Sequence, residues 1–262
     1  MTGLPGSLAD FGPAALTAVV VAGYLVIGEP VVGHVLHRRF EGRLDSDPSA
    51  RRSFYRRLLL LEWGLAVLAL VIWLSAPGVS AGQVGLRWPE RWPGPVTGAV
   101  VVLVVLFVLL STRALRGGAL LEATDAVRHR PGEPRHARSP QHATLAVLPR
   151  TAGERRLFTV VGVTAGVCEE WLYRGFFLAV VAAVAGGLPD AVLVVGAGVA
   201  FGLAHAYQGR AGVITTGVLG GVMAALYLST GSLLLPVLLH AAIDLRFLLV
   251  PSRVLPAAGV AR

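Results

Sequence analysis

Seven hydrophobic runs, at about residues 13–35, 58–75, 95–111, 157–186, 189–207, 211–229 and 232–250, leave this chain little choice but a membrane fold. Each comes close to the ~20 residues that a helix needs to cross ~30 Å of hydrocarbon. With 55% hydrophobic and 15% charged residues and a mean hydropathy of +0.69, the 262-residue chain is too apolar for an ordinary soluble domain. The expected fold is therefore all-α, a polytopic transmembrane helix bundle of about seven spans.

The net charge of +8 would point to nucleic acid in a soluble protein. Here all 23 basic residues are arginines, and they gather between hydrophobic runs, where they fix topology against anionic headgroups. No DNA or RNA site is expected. "HRRFEGRLDSDPSARRSFYRR" holds seven arginines and the stretch from Arg113 to Arg156 nine, whereas "GLRWPERWPGP" holds two. The positive-inside rule then places the N-terminus outside, and both Arg-rich loops and the C-terminus in the cytoplasm of a multi-pass cell-membrane protein. Trp88 and Trp92 fit an interfacial aromatic belt. The start of the chain lacks a basic n-region and carries Asp10, so no cleaved signal peptide is expected.

Four parts follow from composition: N-terminal membrane helices over 1–112, an Arg/Pro-rich cytoplasmic linker over 113–154, a membrane core over 155–250, and a cytoplasmic tail over 251–262. His129, His136 and His142 in the linker read as part of a solvated basic loop rather than a metal site.

Ionisable groups at the centre of a bilayer cost on the order of 3 kcal/mol each, so a concentration of them asks for a function. Residues 157–250 carry Glu169, Glu170, Arg174, His205, His240, Asp244 and Arg246. Glu170 and Arg174 are four apart, share a helix face and suit an ion pair, which leaves Glu169 free. His240 and Asp244 are also four apart, and His205 comes from a separate helix. Counted from the cytoplasmic ends, all of them fall in one half of the bundle. Such a set can activate water, a carboxylate taking the proton while an imidazole orients the water or meets an oxyanion. The same groups could ligate zinc, with Glu169, His205 and His240 as the set, so the cofactor is left open between none and Zn.

Other membrane-protease signatures are absent: no HExxH, no GxSG serine, no pair of intramembrane aspartates. Cys168, the single cysteine, sits beside two carboxylates that work against a thiolate nucleophile. Phe201 reads as packing, Glu29 as a structural partner of His34 or an interfacial group, and Glu62 as an interfacial partner of Arg56 and Arg57. Arg246 is expected to snorkel or to pair with an acid, and the glycines Gly212, Gly217, Gly220 and Gly221 to let helices approach closely.

"CEEWLYRG" with Glu169, Glu170 and Arg174, "FGLAH" with Phe201 and His205, and "HAAID" with His240 and Asp244 together resemble the three motifs of the CAAX protease and bacteriocin-processing (CPBP, Abi) family. That family of intramembrane proteases includes the Ras-converting CAAX prenyl endopeptidase. The resemblance covers about residues 155–250, and "VGLRWPE" at 84–90 is similar to a short element often found ahead of the core. It implies that Glu169 and His205 activate water, that His240 and Asp244 attend the carbonyl, and that Glu170, Arg174 and Phe201 support them. The last motif of the prenyl endopeptidases ends in Asn, which donates a hydrogen bond freely; Asp244 does so only when protonated. The implied partner is a peptide or membrane-anchored protein. The alternatives are a catalytically silent membrane scaffold or immunity or secretion partner, and a proton-coupled transporter, which would also bury acids but usually shows repeat symmetry.

Overall fold

The computed structural model describes residues 3–44, 46–91, 94–116, 146–250 and 255. Trp92, the three linker histidines and nearly all of the expected tail lie outside the described residues. Every regular element among the described residues is helical. A 3₁₀ turn (Leu8–Ala14) leads into α1 (Ala15–Arg43), followed by α2 (Ala50–Leu74) and α3 (Pro95–Arg116). Then come α4 (Ala152–Glu170), a π-helical segment (Trp171–Phe177), α5 (Leu178–Ala185), α6 (Asp190–Ala204), α7 (Gly209–Thr230) and α8 (Leu234–Leu245).

These elements fall on the seven hydrophobic runs, α4, the π segment and α5 forming one rod. Four stretches are long and apolar enough to cross a membrane by themselves, Leu8–Arg43, Ala50–Leu74, Pro95–Ala114 and Ala206–Thr230. The other three differ for plain reasons. The α4–α5 rod carries its charges inside, α6 has 15 residues and α8 has 12. Large apolar side chains such as Leu16, Leu60 and Val96 face outward, as they must where lipid replaces water.

The described ends of the stretch expected as a linker are structured. Arg113–Arg116 continue α3, and Ala146 and Leu148 are buried against α2. There Arg51 Nε donates to the Ala146 carbonyl at 3.0 Å and the Tyr55 hydroxyl to the Val147 carbonyl. α4 opens on a capping box, the Thr151 hydroxyl accepting from the Glu154 amide at 3.2 Å while the Glu154 carboxylate accepts from the Thr151 amide at 3.0 Å. Arg155 donates to the Leu248 carbonyl, which brings the start of α4 and the chain beyond α8 to the same end.

At the opposite end the "VGLRWPE" element straps the α7–α8 turn. Arg87 Nε donates to the Gly231 carbonyl at 3.0 Å, Ser232 Oγ to the Arg87 carbonyl at 2.6 Å, and the Leu233 amide to the Gly85 carbonyl at 3.1 Å. Gly85 has φ +75°, and a Cβ there would lie 2.4 Å from the Tyr227 ring. The strap also presses on the π segment, where a Cβ on Gly175 would meet the Val84 carbonyl oxygen at 2.9 Å.

α6 and α7 form the closest helix pair. A Cβ on Gly202 would lie 2.6 Å from the Val213 carbonyl oxygen, and one on Gly198 would lie 2.8 Å from that of Gly217. Both obstacles are backbone, so neither can turn aside. Gly202→Ala is expected to force the pair apart and cost about 1–3 kcal/mol, read as a lowered melting temperature of the detergent-solubilised protein. An unchanged melting curve would mean that the two helices do not meet this way.

Candidate functional site

A cavity of about 700 Å³ opens among α1, α2, α3, α4, the π segment, α6, α7 and α8. That is room for a few residues of extended peptide. Most of its wall is apolar, and the seven residues singled out from the sequence, Glu169, Glu170, Arg174, Phe201, His205, His240 and Asp244, all line it.

The π segment begins directly after Glu169 and Glu170, and all seven of its residues are buried. The wider turn, a form that recurs at functional sites, carries Arg174 back over Glu170. Arg174 Nη1 donates to Glu170 Oε1 at 2.8 Å, with neither side chain exposed. Arg174 Nη2 donates to the Gly220 carbonyl at 3.0 Å, and the guanidinium lies 4.4 Å from the centre of the Phe201 ring. Phe201, expected to pack, also supports the cation.

Glu170 Oε1 is shared with His240, whose Nδ1 lies 2.6 Å away. Since a carboxylate only accepts, that nitrogen carries a hydrogen, and the His240 ring is oriented from behind. His240 Nε2 faces the cavity, 3.9 Å from Glu169 Oε2 and 3.9 Å from Asp244 Oδ2. These separations are too long for hydrogen bonds. His205 Nδ1 lies 2.9 Å from the Phe201 carbonyl, again an acceptor only, so in the neutral ring Nε2 offers a lone pair. Glu169 differs from its neighbour: among the described residues it makes no hydrogen bond, and Oε2 is enclosed with His240 Nε2 at 3.9 Å.

Zinc requires three or four donors converging on one point. Among the described residues, no three His, Cys, Asp or Glu side chains are disposed to hold a metal ion. Glu169, His205 and His240 share a cavity without forming a ligand cage, so they do not fit a metal centre in this arrangement.

Two carboxylates arrive from helices that the motifs do not include. Glu62 lines the cavity and makes no pair with Arg56 or Arg57. Those arginines lie five and six residues earlier, which turns them ~140° and ~240° round the helix from it, and both are exposed. Glu29 also lines the cavity, while His34 is exposed and unpaired with it. The rule that an ionisable group within a hydrophobic run marks a site would have found Glu62, which is alone in the run 58–75. Arg246 neither snorkels free nor forms an ion pair: Nη1 donates to the Ile243 carbonyl at 3.0 Å and the guanidinium stacks on Phe247 and Phe107.

Cys168 is fully buried, facing away from solvent. Cys168→Ala is expected to leave peptide hydrolysis within about twofold of the parent, the usual range for a packing position outside the chemistry. Loss of activity with an unchanged melting curve would make the thiol a participant.

The family model described as "Type II CAAX prenyl endopeptidase Rce1-like" matches residues 152–246. No curated protein and no solved structure matches the chain significantly. The matched residues run from the capping box of α4 to the end of α8 and take in both carboxylates, Arg174, both imidazoles and Asp244. Over residues 152–246 this membrane protein is thus similar to the Rce1-like type II CAAX prenyl endopeptidase family, a likeness that supports a membrane hydrolase of the protease type.

Proposed function

We propose that this protein hydrolyses a peptide bond of a peptide or membrane-anchored protein inside the cavity, with a water activated by Glu169. The observation that carries this reading is the contrast between adjacent carboxylates. Glu170 is held through Oε1 by Arg174 and His240, its Oε2 being left over, whereas neither oxygen of Glu169 has a hydrogen bond among the described residues. An unpartnered buried acceptor is costly, and a water donating to it would remove the cost.

The water donates one O–H to Glu169 and the other to the lone pair on His205 Nε2. As its oxygen bonds to the scissile carbonyl carbon, its proton passes to Glu169. The carbonyl oxygen becomes an oxyanion and is met by a hydrogen on Nε2 of His240, which enters the step as the doubly protonated ring with its Nδ1 hydrogen held by Glu170. Asp244, one turn along α8, carries a proton from the outset, keeps it, and donates a hydrogen bond to the same oxygen. When the carbon–nitrogen bond breaks, Glu169 returns the proton to the leaving amine. One water is consumed, and an acid and an amine result.

The arginine distribution supports a cytoplasmic position for the α2 and α4 starts, with the N-terminus outside, so that cleavage occurs in the cytoplasmic half of the membrane. The test is cleavage by the purified protein in detergent, on a panel of CAAX-type and leader-type peptides with and without a strong chelator. Cleavage that persists under chelation is the expected result. Cleavage abolished by chelation and restored by zinc would replace the carboxylate mechanism with a metal one.

A further inference from the structure

The matched residues do not complete the reaction centre. α2 packs along α4, and two indoles fix its rotation: Trp63 Nε1 donates to Thr164 Oγ1 at 3.2 Å, and Trp171 Nε1 to the Ala66 carbonyl at 3.0 Å. The side chain set by this docking is Glu62, which lines the same cavity as Glu169. Its Oε2 is enclosed, and no hydrogen bond or ion pair reaches it among the described residues.

The other carboxylates that line this cavity with Glu62 are Glu169 of α4, Asp244 of α8 and Glu29 of α1. An ionised carboxylate enclosed opposite three others has nothing to offset its lost hydration, a penalty of several kcal/mol. A protonated carboxyl removes that charge and provides a hydrogen-bond donor. Glu169, which lines the same cavity, has no hydrogen bond on either oxygen among the described residues and so can accept from both water and Glu62.

We propose that Glu62 is a positioning residue for the reaction: it holds a proton and donates it in a hydrogen bond to one oxygen of Glu169, leaving the other oxygen to take the proton from water. The proton stays on Glu62 throughout, so the balance of the hydrolysis is unchanged. The inference rests on the reaction proposed above for its role in turnover, while the hydrogen bond itself can be tested without turnover.

Infrared spectroscopy of the purified full-length protein reads the carbonyl stretch of protonated carboxylic acids. A band of Glu62, beside that of the protonated Asp244, is expected in the parent, absent in Glu62→Gln and displaced but retained in Glu169→Gln. On a cleaved peptide, Glu62→Leu is expected to lower kcat by about tenfold with little change in KM, the scale of a small loss of alignment. Glu62→Gln, whose amide also donates, should recover most of that loss. A merely space-filling role would favour Leu over Gln. The proposal is overturned if Glu62→Gln removes no acid band, if that band ignores Glu169→Gln, or if the Gln variant is as slow as the Leu variant. If the parent cleaves no peptide while the bands behave as stated, the hydrogen bond stands and the protease reading of the cavity fails.

Discussion

Arg174→Ala is expected to be among the most destabilising single substitutions in this protein, by about 3–5 kcal/mol, because it leaves the Glu170 carboxylate buried without its cation. Neither partner is exposed, so no solvent compensates. The loss extends beyond the pair: the Gly220 carbonyl loses its donor, the Phe201 ring loses the guanidinium above it, and a large side chain leaves a void. Glu170→Ala should do similar damage from the other side and also release the His240 ring. Thermal melting of the solubilised protein checks this, with the double variant Glu170→Gln with Arg174→Met as the informative control. Removing both charges together should cost less than removing Arg174 alone, as expected when the damage is an unpaired charge. Equal losses would mean that Arg174 acts by volume alone.

This pair was legible in the sequence because its information is local. Glu170 and Arg174 are four residues apart, a spacing at which side chains meet on one helix. The seven hydrophobic runs were legible for a similar reason, since the length and continuity of an apolar stretch need no tertiary context. The hydrogen bond from His240 to Glu170 was not legible by spacing, because it joins residues 70 apart. Nor was the π segment, whose Gly175 lies close against the Val84 carbonyl, an approach between distant stretches. Glu62 shows where local reasoning misled. The arginines at 56 and 57 are near it in sequence, but helix rotation turns them to the outside and turns Glu62 toward the cavity.

The largest kinetic effect is expected at Glu169. Glu169→Gln keeps the side chain's size and one acceptor oxygen but cannot take a proton, so the chemical step loses its base while the fold loses little. Glu169 makes no hydrogen bond among the described residues, and Gln keeps an acceptor oxygen for the proposed Glu62 donor, so the melting temperature should stay close to the parent's. The expected drop in kcat is about 10³-fold, within the usual range for a positioned general base. The same substitution at Glu170 would disturb a bonded pair and lower stability, so the two neighbours should separate cleanly into one kinetic and one structural variant.

The most direct measurement is therefore single-turnover cleavage of one susceptible peptide by parent and Glu169→Gln, at matched melting temperature and with a chelator present. Fast hydrolysis by the parent and a loss of about 10³-fold in the variant is the result this account predicts. Equal rates in the two proteins would contradict it and move the chemistry to another group in the cavity.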